Sequence, residues 1–550
     1  MSKSLLPRLA VALVVCRAAI GQCELQRLTA PNPETRSYGN SVALSPGFAV
    51  IGAPNDSTVH FEAGAVYVYR STSSGWVGPD TLYASLPPPV AEEHFGDSVA
   101  IYEDTILVGA PGDGVGGAAF VFEYDGALWN PTATLIASDS TSGMAFGGAV
   151  ALEGDRALIG ALGSVGGTSA GAAYVFERSG SVWTETAKLA PSDGAPFDFF
   201  GGSLSLSGGL ALIGSHTADG GAAYVYDHTA GWAEVQKLVP SDPAPHKSFG
   251  GDVAILGNTA VIGDRKDDTQ GGRAGAAYVF ERDGSTWTQA VKLLAGDGAA
   301  LDEFGSSVAI EAGRIAVGAA GPNVLGSAYV LLEHPSGWTH RAKLVPSDGG
   351  LFTEFGSTLA IAGDSILVGA RNASGPFGKR GAAYVFQMPS FATAYCFGVA
   401  CPCGNDDPVY GCASSSLGLD GIPQGGLLAA CGSASVASDD LVLTASQLPA
   451  SQPGIFFMGG SAIELPFGDG KRCVGAGGIG IFRYLPPAFS GPTGTITLGP
   501  GIALRSQTFS AGGRIDAGET WHFQGWFRDP AGPCGTAFNL TNGLALTFAP

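Results

Sequence analysis

The chain has 550 residues, of which 85 are Gly and 34 are Pro, and its formal net charge is -20. Its 45% hydrophobic content excludes wholesale disorder, and its glycines follow no G-X-Y period, which excludes collagen. The balance of 28 Lys+Arg against 48 Asp+Glu excludes the basic footprint of a nucleic-acid binder.

The N-terminal 21 residues have the pattern of a secretory signal peptide. Lys3 and Arg8 precede an apolar run at 9–15, and small residues at 19–21 permit cleavage. The run is too short to span a bilayer, and no later stretch has the roughly 18 consecutive apolar residues of a membrane helix. We therefore expect a secreted or cell-surface protein with no transmembrane segment in the mature chain. A lipoprotein is the alternative, although the residues before the nearby cysteines are not small.

The region 38–386 contains seven in-phase copies of one repeat. Each copy opens with an aromatic–glycine pair, at intervals of 49 to 57 residues. The pairs begin at Tyr38, Phe95, Phe146, Phe200, Phe249, Phe304 and Phe355. A glycine follows fourteen residues later, at Gly52, Gly109, Gly160, Gly214, Gly263, Gly318 and Gly369. Six copies then carry a tryptophan, at Trp76, Trp129, Trp183, Trp232, Trp287 and Trp338.

Each copy is predicted to form four short strands. In the third copy they cover 147–152, 157–161, 172–177 and 182–189, which are separated by glycine-containing turns. Four strands in roughly 40–50 residues are typical of a propeller blade. Small side chains after the aromatic–glycine pair suit an innermost strand, so the tryptophan strand is outermost. The regular tryptophan spacing indicates blade packing rather than sugar stacking.

The two ends of the repeat region are predicted to share one blade. The last copy has no tryptophan strand after Phe386, whereas residues 24–28 resemble residues 234–238 and likewise lead to an aromatic–glycine pair. An N-terminal strand that completes the seventh blade removes an exposed sheet edge. We therefore predict an all-β protein in which residues 22–389 form a seven-bladed β-propeller closed by an N-terminal clasp strand.

This repeat resembles the FG-GAP repeats, in particular those of secreted bacterial proteins, over roughly residues 24–388. The resemblance implies a propeller like the head of integrin α subunits and a role in adhesion or recognition. Integrin-type repeats often carry an Asp-x-Asp-x-Asp-Gly calcium loop in the hairpin after the first strand. The corresponding hairpins here, such as Glu103-Asp104 and Gly363-Asp364, have at most two carboxylates, fewer oxygens than calcium requires. We therefore expect no cofactor. Calcium binding is the alternative, although it would not use integrin-type loops.

One face of the propeller is predicted to carry loops of variable length. The connection between the second and third strands is longer at 55–64, 163–171, 265–275 and 371–381 than in the other copies. Loops on a rigid scaffold are common recognition sites. The alternative is that the length and sequence of these surface loops vary without any effect on function. The candidate ligand-binding residues on this face are Asn55, Asp56, His60, His216, Arg265, Asp267, Asp268, Arg371 and Asn372.

The connections between blades share that face, and five of them carry an aspartate in a Ser-Asp-Gly-like setting. These aspartates are Asp139, Asp193, Asp242, Asp297 and Asp348. A ring of carboxylates would attract cations or a basic partner. The alternative is a structural role, because an aspartate in such a turn hydrogen-bonds to its own backbone.

No catalytic motif is found in the sequence. It contains no Gly-x-Ser-x-Gly elbow, His-Glu-x-x-His helix, phosphate-binding loop or dinucleotide fingerprint, and its eight histidines do not repeat in phase. We therefore expect a protein without enzymatic activity. Because propeller enzymes draw their residues from different blades, an enzyme with its site at the channel mouth is the main alternative.

Residues 390–550 are predicted to form a separate β-sandwich braced by disulfides. Six segments that alternate or are apolar between Gly and Pro turns indicate the sandwich. Behind a signal peptide, cysteines favour disulfides over zinc coordination. The candidates are Cys23, Cys396, Cys401, Cys403, Cys412, Cys431, Cys473 and Cys534. Cys23 opens the clasp strand and is predicted to pair with one of the C-terminal cysteines.

These observations favour an exported, non-enzymatic binding or adhesion protein. Its variable loops would present one propeller face to an extracellular protein or glycan, and we expect a monomer that does not bind nucleic acid. An extracellular enzyme and a structural surface component are the alternatives.

Overall fold

The computed structural model describes most of the chain after the predicted signal peptide. It covers residues 24–550 except 73–74, 85–90, 164–169, 217–219, 243–247, 323–325, 335–336, 349–352, 376–377, 388–391, 397–400, 403, 407–410, 418–422 and 493. The signal peptide, Cys23 and Cys403 therefore lie outside the described residues. The chain divides into two compact units, one made mainly of Arg27–Met388 and the other mainly of Pro389–Ser416 with Pro423–Pro550.

Seven antiparallel sheets of four strands make up the first unit. In blades one to six, consecutive strands lie side by side. The strands of blades one to three are β2 (Ser41–Leu44), β3 (Phe48–Ala53), β4 (Ala65–Thr72), β5 (Gly75–Leu82), β6 (Ser98–Tyr102), β7 (Thr105–Ala110), β8 (Ala118–Tyr124), β9 (Trp129–Leu135), β10 (Phe146–Glu153), β11 (Arg156–Ala161), β12 (Ala172–Ser179) and β13 (Val182–Leu189). Those of blades four to six are β14 (Leu204–Ser207), β15 (Leu210–Ser215), β16 (Ala222–Asp227), β17 (Ala233–Leu238), β18 (Phe249–Leu256), β19 (Thr259–Asp264), β20 (Ala276–Asp283), β21 (Thr286–Leu293), β22 (Phe304–Glu311), β23 (Arg314–Ala319), β24 (Ser327–His334) and β25 (Gly337–Leu344).

Blade seven joins the two ends of the propeller sequence. Its strands are β1 (Glu24–Thr29), β26 (Thr358–Ala362), β27 (Ser365–Ala370) and β30 (Ala382–Gln387), and a small hairpin, β28 (Ser374–Gly375) with β29 (Gly378–Lys379), follows β27. The spatial order is β1–β30–β27–β26, so the N-terminal strand forms the outer edge of the blade. The predicted clasp strand is confirmed.

An isolated parallel β-bridge recurs at every junction between blades. The aromatic residue that opens a blade pairs in parallel with the glycine before the third strand of the preceding blade. The seven bridges are Gly64–Phe95, Gly117–Phe146, Gly171–Phe200, Gly221–Phe249, Gly275–Phe304, Gly326–Phe355 and, closing the ring, Gly381–Tyr38. Seven equivalent bridges confirm the seven-bladed propeller.

The recurrent glycines permit this close approach of neighbouring blades. Gly147 has a φ of 93°, in the left-handed region that favours glycine. Its carbonyl oxygen accepts a hydrogen bond from the Ser98 hydroxyl at 2.8 Å and faces Gly109 of the preceding blade, where a methyl group would overlap it. The adjacent Phe146 is fully buried and packs edge-on against Tyr174. The glycine fourteen residues after each aromatic is thus a packing requirement.

Trp129, Trp232 and Trp287 pack against residues of the preceding blade, in agreement with the packing role predicted from the tryptophan spacing. The Trp129 ring lies edge-on to Phe48 of blade one, with ring centroids 5.0 Å apart. Trp129, Trp232 and Trp287 are all buried.

The second unit contains two sheets that share one hydrophobic core. The larger sheet consists of β31 (Ala392–Tyr395), β43 (Gly543–Thr547), β41 (Thr520–Arg528), β36 (Pro453–Gly459) and β39 (Ile481–Phe489), with β42 (Phe538–Leu540) paired to β41. The smaller sheet consists of β34 (Leu427–Cys431), β35 (Val442–Ser446) and β40 (Ile496–Leu498). Leu428 and Leu443 of the smaller sheet pack in the same core as Phe523 and Leu544 of the larger one. The predicted β-sandwich is confirmed.

Short elements complete this unit. Two hairpins are formed by β32 (Ala413–Leu417) with β33 (Pro423–Gly425) and by β37 (Ser461–Phe467) with β38 (Gly470–Gly475). The described helical segments are α1 (Ile502–Ser506) and the 3-10 turns Ala511–Gly513 and, in the propeller, His228–Ala230. None of the helices in the described part is long and apolar enough to cross a membrane.

Disulfides brace the sandwich. Cys396 is bonded to Cys473, and Cys401 is bonded to Cys412. Cys431 and Cys534 are also disulfide-bonded. The pairing of Cys23 stays a prediction.

Candidate ligand site at the channel mouth

The first strands of all seven blades line a central channel. Its volume is about 500 Å³, and its wall is made largely of small and aliphatic side chains such as Val42, Ala100 and Ala309. Asp252 is an ionisable exception in this wall, and burial raises its pKa to about 7. Its carboxylate accepts a hydrogen bond from the Val308 backbone at 2.7 Å.

A separate polar cavity of about 480 Å³ lies where the ring closes. Blades one, two and seven contribute to it. Its lining residues are Ser37, Asn40, Pro54, Asn55, His94, Asp97, Pro111, Arg371 and Asn372. Asn40 and Asp97 line both this cavity and the channel, so the cavity opens at the channel mouth.

The repeat itself positions His94. The residue before the opening aromatic lies in the left-handed region in most copies, and at His94 φ is 54°. The equivalent residues with positive φ are Ser37, Ala145, Phe199, Glu303 and Glu354. The same backbone conformation thus recurs before the aromatic in six of the seven copies, and in blades one and two this residue, Ser37 or His94, lines the cavity.

Hydrogen bonds order the polar side chains of the cavity. Glu354 accepts from Arg371 Nε at 2.5 Å and from Asn372 Nδ2 at 2.7 Å, which fixes both side chains at the rim. Asn40 Nδ2 donates to the Asp97 backbone oxygen at 3.1 Å and to its carboxylate at 3.3 Å. Burial raises the pKa of Asp97, and the neighbouring His94 opposes that shift. The cavity therefore presents hydrogen-bond donors and acceptors whose side chains are already held in place by contacts within the protein.

Three of the residues predicted on the variable face are brought together here: Asn55, Arg371 and Asn372. Two others, Asp56 and Asp267, are fully buried and accept hydrogen bonds from tyrosine hydroxyls, so they support the fold.

The remaining face residues lie away from this cavity. Asp268 accepts from the Arg273 backbone at 2.7 Å, and Arg265 lies 3.8 Å from Glu303. His60 is exposed. His216 stacks on Phe199, and burial lowers its pKa.

Sequence reasoning missed Asn40, His94 and Asp97. A signal for two of them exists, because the position after the aromatic–glycine pair is Gly or Ser in the other five copies. The departure from small residues at Asn40 and Asp97 marks the two blades that face the cavity.

The five aspartates of the predicted ring are each paired with a cation at a separate blade junction. Their partners come from the outer strand of the following blade. The ion pairs are Asp139–Lys188 at 2.5 Å, Asp193–Lys237 at 2.6 Å, Asp242–Lys292 at 2.7 Å, Asp297–Lys343 at 2.5 Å and Asp348–Arg27 at 3.1 Å.

A tyrosine hydroxyl completes each junction. Asp139 also accepts from Tyr174 at 2.7 Å, and Asp193 accepts from Tyr224 at 2.8 Å. The lysine hydrogen bonds lower the pKa of both carboxyl groups. These aspartates therefore join neighbouring blades, and cationic side chains of the propeller itself neutralise their negative charge.

Comparison with known proteins agrees with this architecture. The sequence model described as FG-GAP repeat matches residues 23–69, 89–122, 129–176, 183–226, 232–280, 287–331 and 338–386. The chain belongs to the FG-GAP repeat family. The segment 129–176 begins in the outer strand of blade two and ends in the third strand of blade three, so one family repeat spans a blade junction.

Solved structures similar to this FG-GAP protein include a chain of "Crystal Structure of Mitotic Checkpoint Complex", with 11% identity and a TM-score of 0.44, covering 70% of this chain and 99% of that chain. The WD40 domain of coronin from Toxoplasma gondii has 10% identity and a TM-score of 0.41, covering 68% of this chain and 86% of that chain. No curated protein matches the chain.

The variable face of the FG-GAP propeller also exposes large apolar side chains. Phe61, in the long connection of blade one, is 61% exposed, and Phe197, between blades three and four, is 60% exposed. Val59 is exposed in the same connection as Phe61, and Val115 is exposed in the corresponding connection of blade two. Exposed apolar groups beside polar ones are characteristic of interaction surfaces.

Metal-binding groups of the usual size are not found in the described portion of the FG-GAP protein. There, no cluster of three or more His, Cys, Asp or Glu side chains is placed to hold an ion.

Proposed function

We propose that this FG-GAP protein is an exported, non-enzymatic binding protein whose variable face recognises an extracellular protein or glycan. The observation that carries the proposal is the polar cavity at the ring closure, where Asn55, Arg371 and Asn372 meet Asp97. Residues that lie far apart in the sequence and converge on one concavity are typical of a binding site.

The side chains of the cavity suit a hydrogen-bonding ligand. One edge of the Arg371 guanidinium is held by Glu354, and the amides of Asn55 and Asn372 line the same wall. The Asp97 carboxylate supplies acceptors on another wall. A sugar unit or a polar peptide side chain satisfies both kinds of group, and the cavity volume lies within the range of small-ligand pockets.

The exposed apolar side chains favour a macromolecular partner over a free small molecule. Phe61 and Phe197 lie on the same face as the cavity, so a partner that fills the cavity also has apolar surface to cover.

Export is supported by the cysteines. The Cys396–Cys473 and Cys401–Cys412 disulfides fit an oxidising compartment. The signal-peptide pattern of the first 21 residues is consistent with that location.

The test is a binding screen with the purified mature protein on glycan and matrix-protein arrays. Arg371→Ala and Asn55→Ala are expected to weaken binding of any hit at least about tenfold, as loss of a central contact does. Asn258→Ala is the matched control, because Asn258 is exposed in a hairpin on the opposite face. Hits that bind both cavity variants as tightly as the parent protein contradict the proposal.

A second candidate function is catalysis at the same site. The observation in its favour is Asp97, a carboxyl group with a pKa raised by burial and placed beside His94. An enzyme using Asp97 as a general acid or base would lose turnover in Asp97→Asn and keep its affinity for substrate. If the protein only binds its ligand, neither the wild type nor Asp97→Asn turns over the ligands found on the arrays.

A further inference from the structure

Two carboxylates in the C-terminal sandwich are completely shielded from solvent. Asp469, in the turn between β37 and β38, and Asp529, just after β41, both have 0% exposure. No described Lys, Arg or His forms an ion pair with either of them. Buried carboxylates normally have a cationic or hydrogen-bonding partner.

Both carboxylates point at the same glycine. A methyl group at Gly532 would overlap Asp469 Oδ2 and would lie 2.8 Å from Asp529 Oδ2. The two oxygens are therefore within about 5 Å of each other, a range at which buried like charges repel strongly unless a cation lies with them. Because Gly532 has no side chain, both carboxylates can approach its backbone closely.

One oxygen of this pair has no hydrogen-bond partner. Asp469 Oδ1 accepts from the Thr536 backbone at 3.0 Å and from the Thr536 hydroxyl. Both oxygens of Asp529 accept from Ser415, one from its hydroxyl and Oδ2 from its backbone at 3.1 Å. Asp469 Oδ2 is buried and accepts nothing. A buried oxygen without a partner requires a physical explanation, and a bound cation is one that also answers the repulsion between the two carboxylates.

Hydrogen bonds hold the surrounding loop against the two carboxylates. Gly532 donates to the Asp529 carbonyl at 3.0 Å, and Gly535 donates to the Gly532 carbonyl at 3.1 Å, which wraps 529–536 around the two carboxylates. The Asn405 side chain donates to the Asp469 carbonyl at 3.0 Å and holds the facing turn in place. Cys534 in the same loop is disulfide-bonded and is not available as a thiolate ligand.

We propose that Asp469 and Asp529 bind one calcium ion in the C-terminal sandwich. Two carboxylates supply up to four oxygens, the Ser415 and Thr536 hydroxyls lie beside them, and water completes the six to eight ligands of calcium. Oxygen-only chemistry disfavours zinc and copper. The irregular ligand arrangement favours calcium over magnesium, which requires a near-ideal octahedron.

The site is distinct from integrin-type calcium loops, which lie in propeller hairpins. Its consequence is structural: the ion would join the β37–β38 turn, the 529–536 loop and the segment at Ser415. Calcium binding would then stabilise the sandwich by mass action.

The test uses the full mature chain, stripped of metal with a chelator and titrated with calcium chloride. The wild-type protein is expected to bind one more calcium per chain than Asp469→Asn or Asp529→Asn at about 1 mM calcium, the range of extracellular sites. Calcium is also expected to raise the Tm of the wild type and not that of the two variants. Asp516→Asn is the matched control, because Asp516 is an exposed aspartate of the same unit.

A hydrogen-bonded pair that shares one proton is the competing explanation. It predicts a wild-type protein whose bound calcium and Tm do not respond to the titration, and that result overturns the proposal whether or not the variants fold. Equal calcium stoichiometry in the wild type and both variants also overturns it. Gly532→Ala, whose added methyl group would overlap Asp469 Oδ2, is expected to weaken calcium binding at least about tenfold while the Asp516→Asn control is unchanged.

Discussion

Arg27 in the clasp strand forms a 3.1 Å ion pair with Asp348, which lies in the connection from blade six to blade seven. Four other blade junctions place a lysine against the equivalent aspartate, as Lys188 does against Asp139. The propeller is thus closed by the same interaction that joins consecutive blades. At the closing junction the cation comes from a strand that the chain supplies before all the others.

Replacing Arg27 by Ala is expected to destabilise the propeller more than the equivalent change at Lys188. Arg27 pairs with Asp348, lies over the Tyr384 ring at 5.7 Å and donates to the Ser374 carbonyl. Together these contacts are worth about 1–2 kcal/mol in a partly exposed setting.

Lys188→Ala serves as the control for that prediction. Lys188 also lies over a tyrosine ring, that of Tyr174 at 5.3 Å, but its ion pair with Asp139 is more exposed than the pair of Arg27. Its strand β13 is also continuous with its own blade, so a loss of about 0.5 kcal/mol is expected. Urea unfolding of both variants measures the difference. A loss at Arg27 no greater than the loss at Lys188 contradicts a special role for the clasp.

Replacing Gly318 by Ala is expected to destabilise the protein by about 3 kcal/mol or to prevent folding. The added methyl group would overlap the Gly356 carbonyl oxygen of the next blade and the Ser307 hydroxyl that donates to it. The Gly356 backbone cannot move away from the added methyl group without separating the two blades, so the steric overlap is strongly destabilising.

The control for Gly318 is Gly47→Ala. Nothing lies within 4 Å of a methyl group at Gly47, so its effect is expected to stay within about 0.5 kcal/mol. Thermal unfolding and expression yield report both variants. A tolerated Gly318→Ala would show that the blades separate more readily than the structure indicates.

Replacing Asp252 by Asn is expected to stabilise the protein at pH 8 and to have little effect near pH 4. Burial raises the pKa of Asp252 to about 7, far above the value of about 4 in the unfolded chain. The folded state therefore holds this proton more tightly, and stability is lost as pH rises from about 4 through 7. Asparagine avoids that loss and keeps an acceptor for the Val308 backbone.

The gain at pH 8 is expected to be on the order of 2 kcal/mol, since the channel leaves part of the site solvated. Urea unfolding at the two pH values gives the measurement, with exposed Asp283→Asn as the control. An equal effect of Asp252→Asn at both pH values would show that burial does not govern its ionisation.

Peptide mapping under non-reducing conditions is expected to link Cys23 to a C-terminal cysteine. The same digest should contain the Cys396–Cys473 and Cys401–Cys412 pairs, which act as internal controls. Mass spectrometry that finds Cys23 as a free thiol, in a digest where both controls are intact, excludes the covalent lock on the clasp strand.

The blade count and the clasp were predictable because both depend on contacts that repeat. Each blade must place a glycine such as Gly160 against its neighbour, so the requirement recurs in phase and can be recognised without coordinates. Residues 24–28 could likewise be recognised as the missing last strand, because they precede an aromatic–glycine pair as the outer strands of the other blades do.

The cavity was only partly predictable because ring closure creates it. Asn40 of blade one and Asp97 of blade two share one position of the repeat, but Arg371 of blade seven lies at a different position, so the repeat does not relate it to them. Their approach depends on the curvature that brings the last blade against the first.

The pairing of the aspartates also has a signal in the sequence. In five of the seven blades a basic residue precedes the leucine that ends the outer-strand motif, whereas blades one and two have a threonine there. The five basic residues are Lys188, Lys237, Lys292, Lys343 and Arg27. Aspartates and cations that recur together at a fixed offset indicate neutralised pairs rather than a ring of free carboxylates.

The position of β1 in blade seven also sets an order of assembly. The ribosome makes this strand first, yet its neighbour β30 is the last propeller strand to be made. A chain interrupted before residue 382 leaves β1 without its partner and blade seven incomplete. The ring can therefore close only after the whole propeller has been synthesised. A prematurely terminated chain is left with an incomplete blade whose exposed strand edge proteases can recognise.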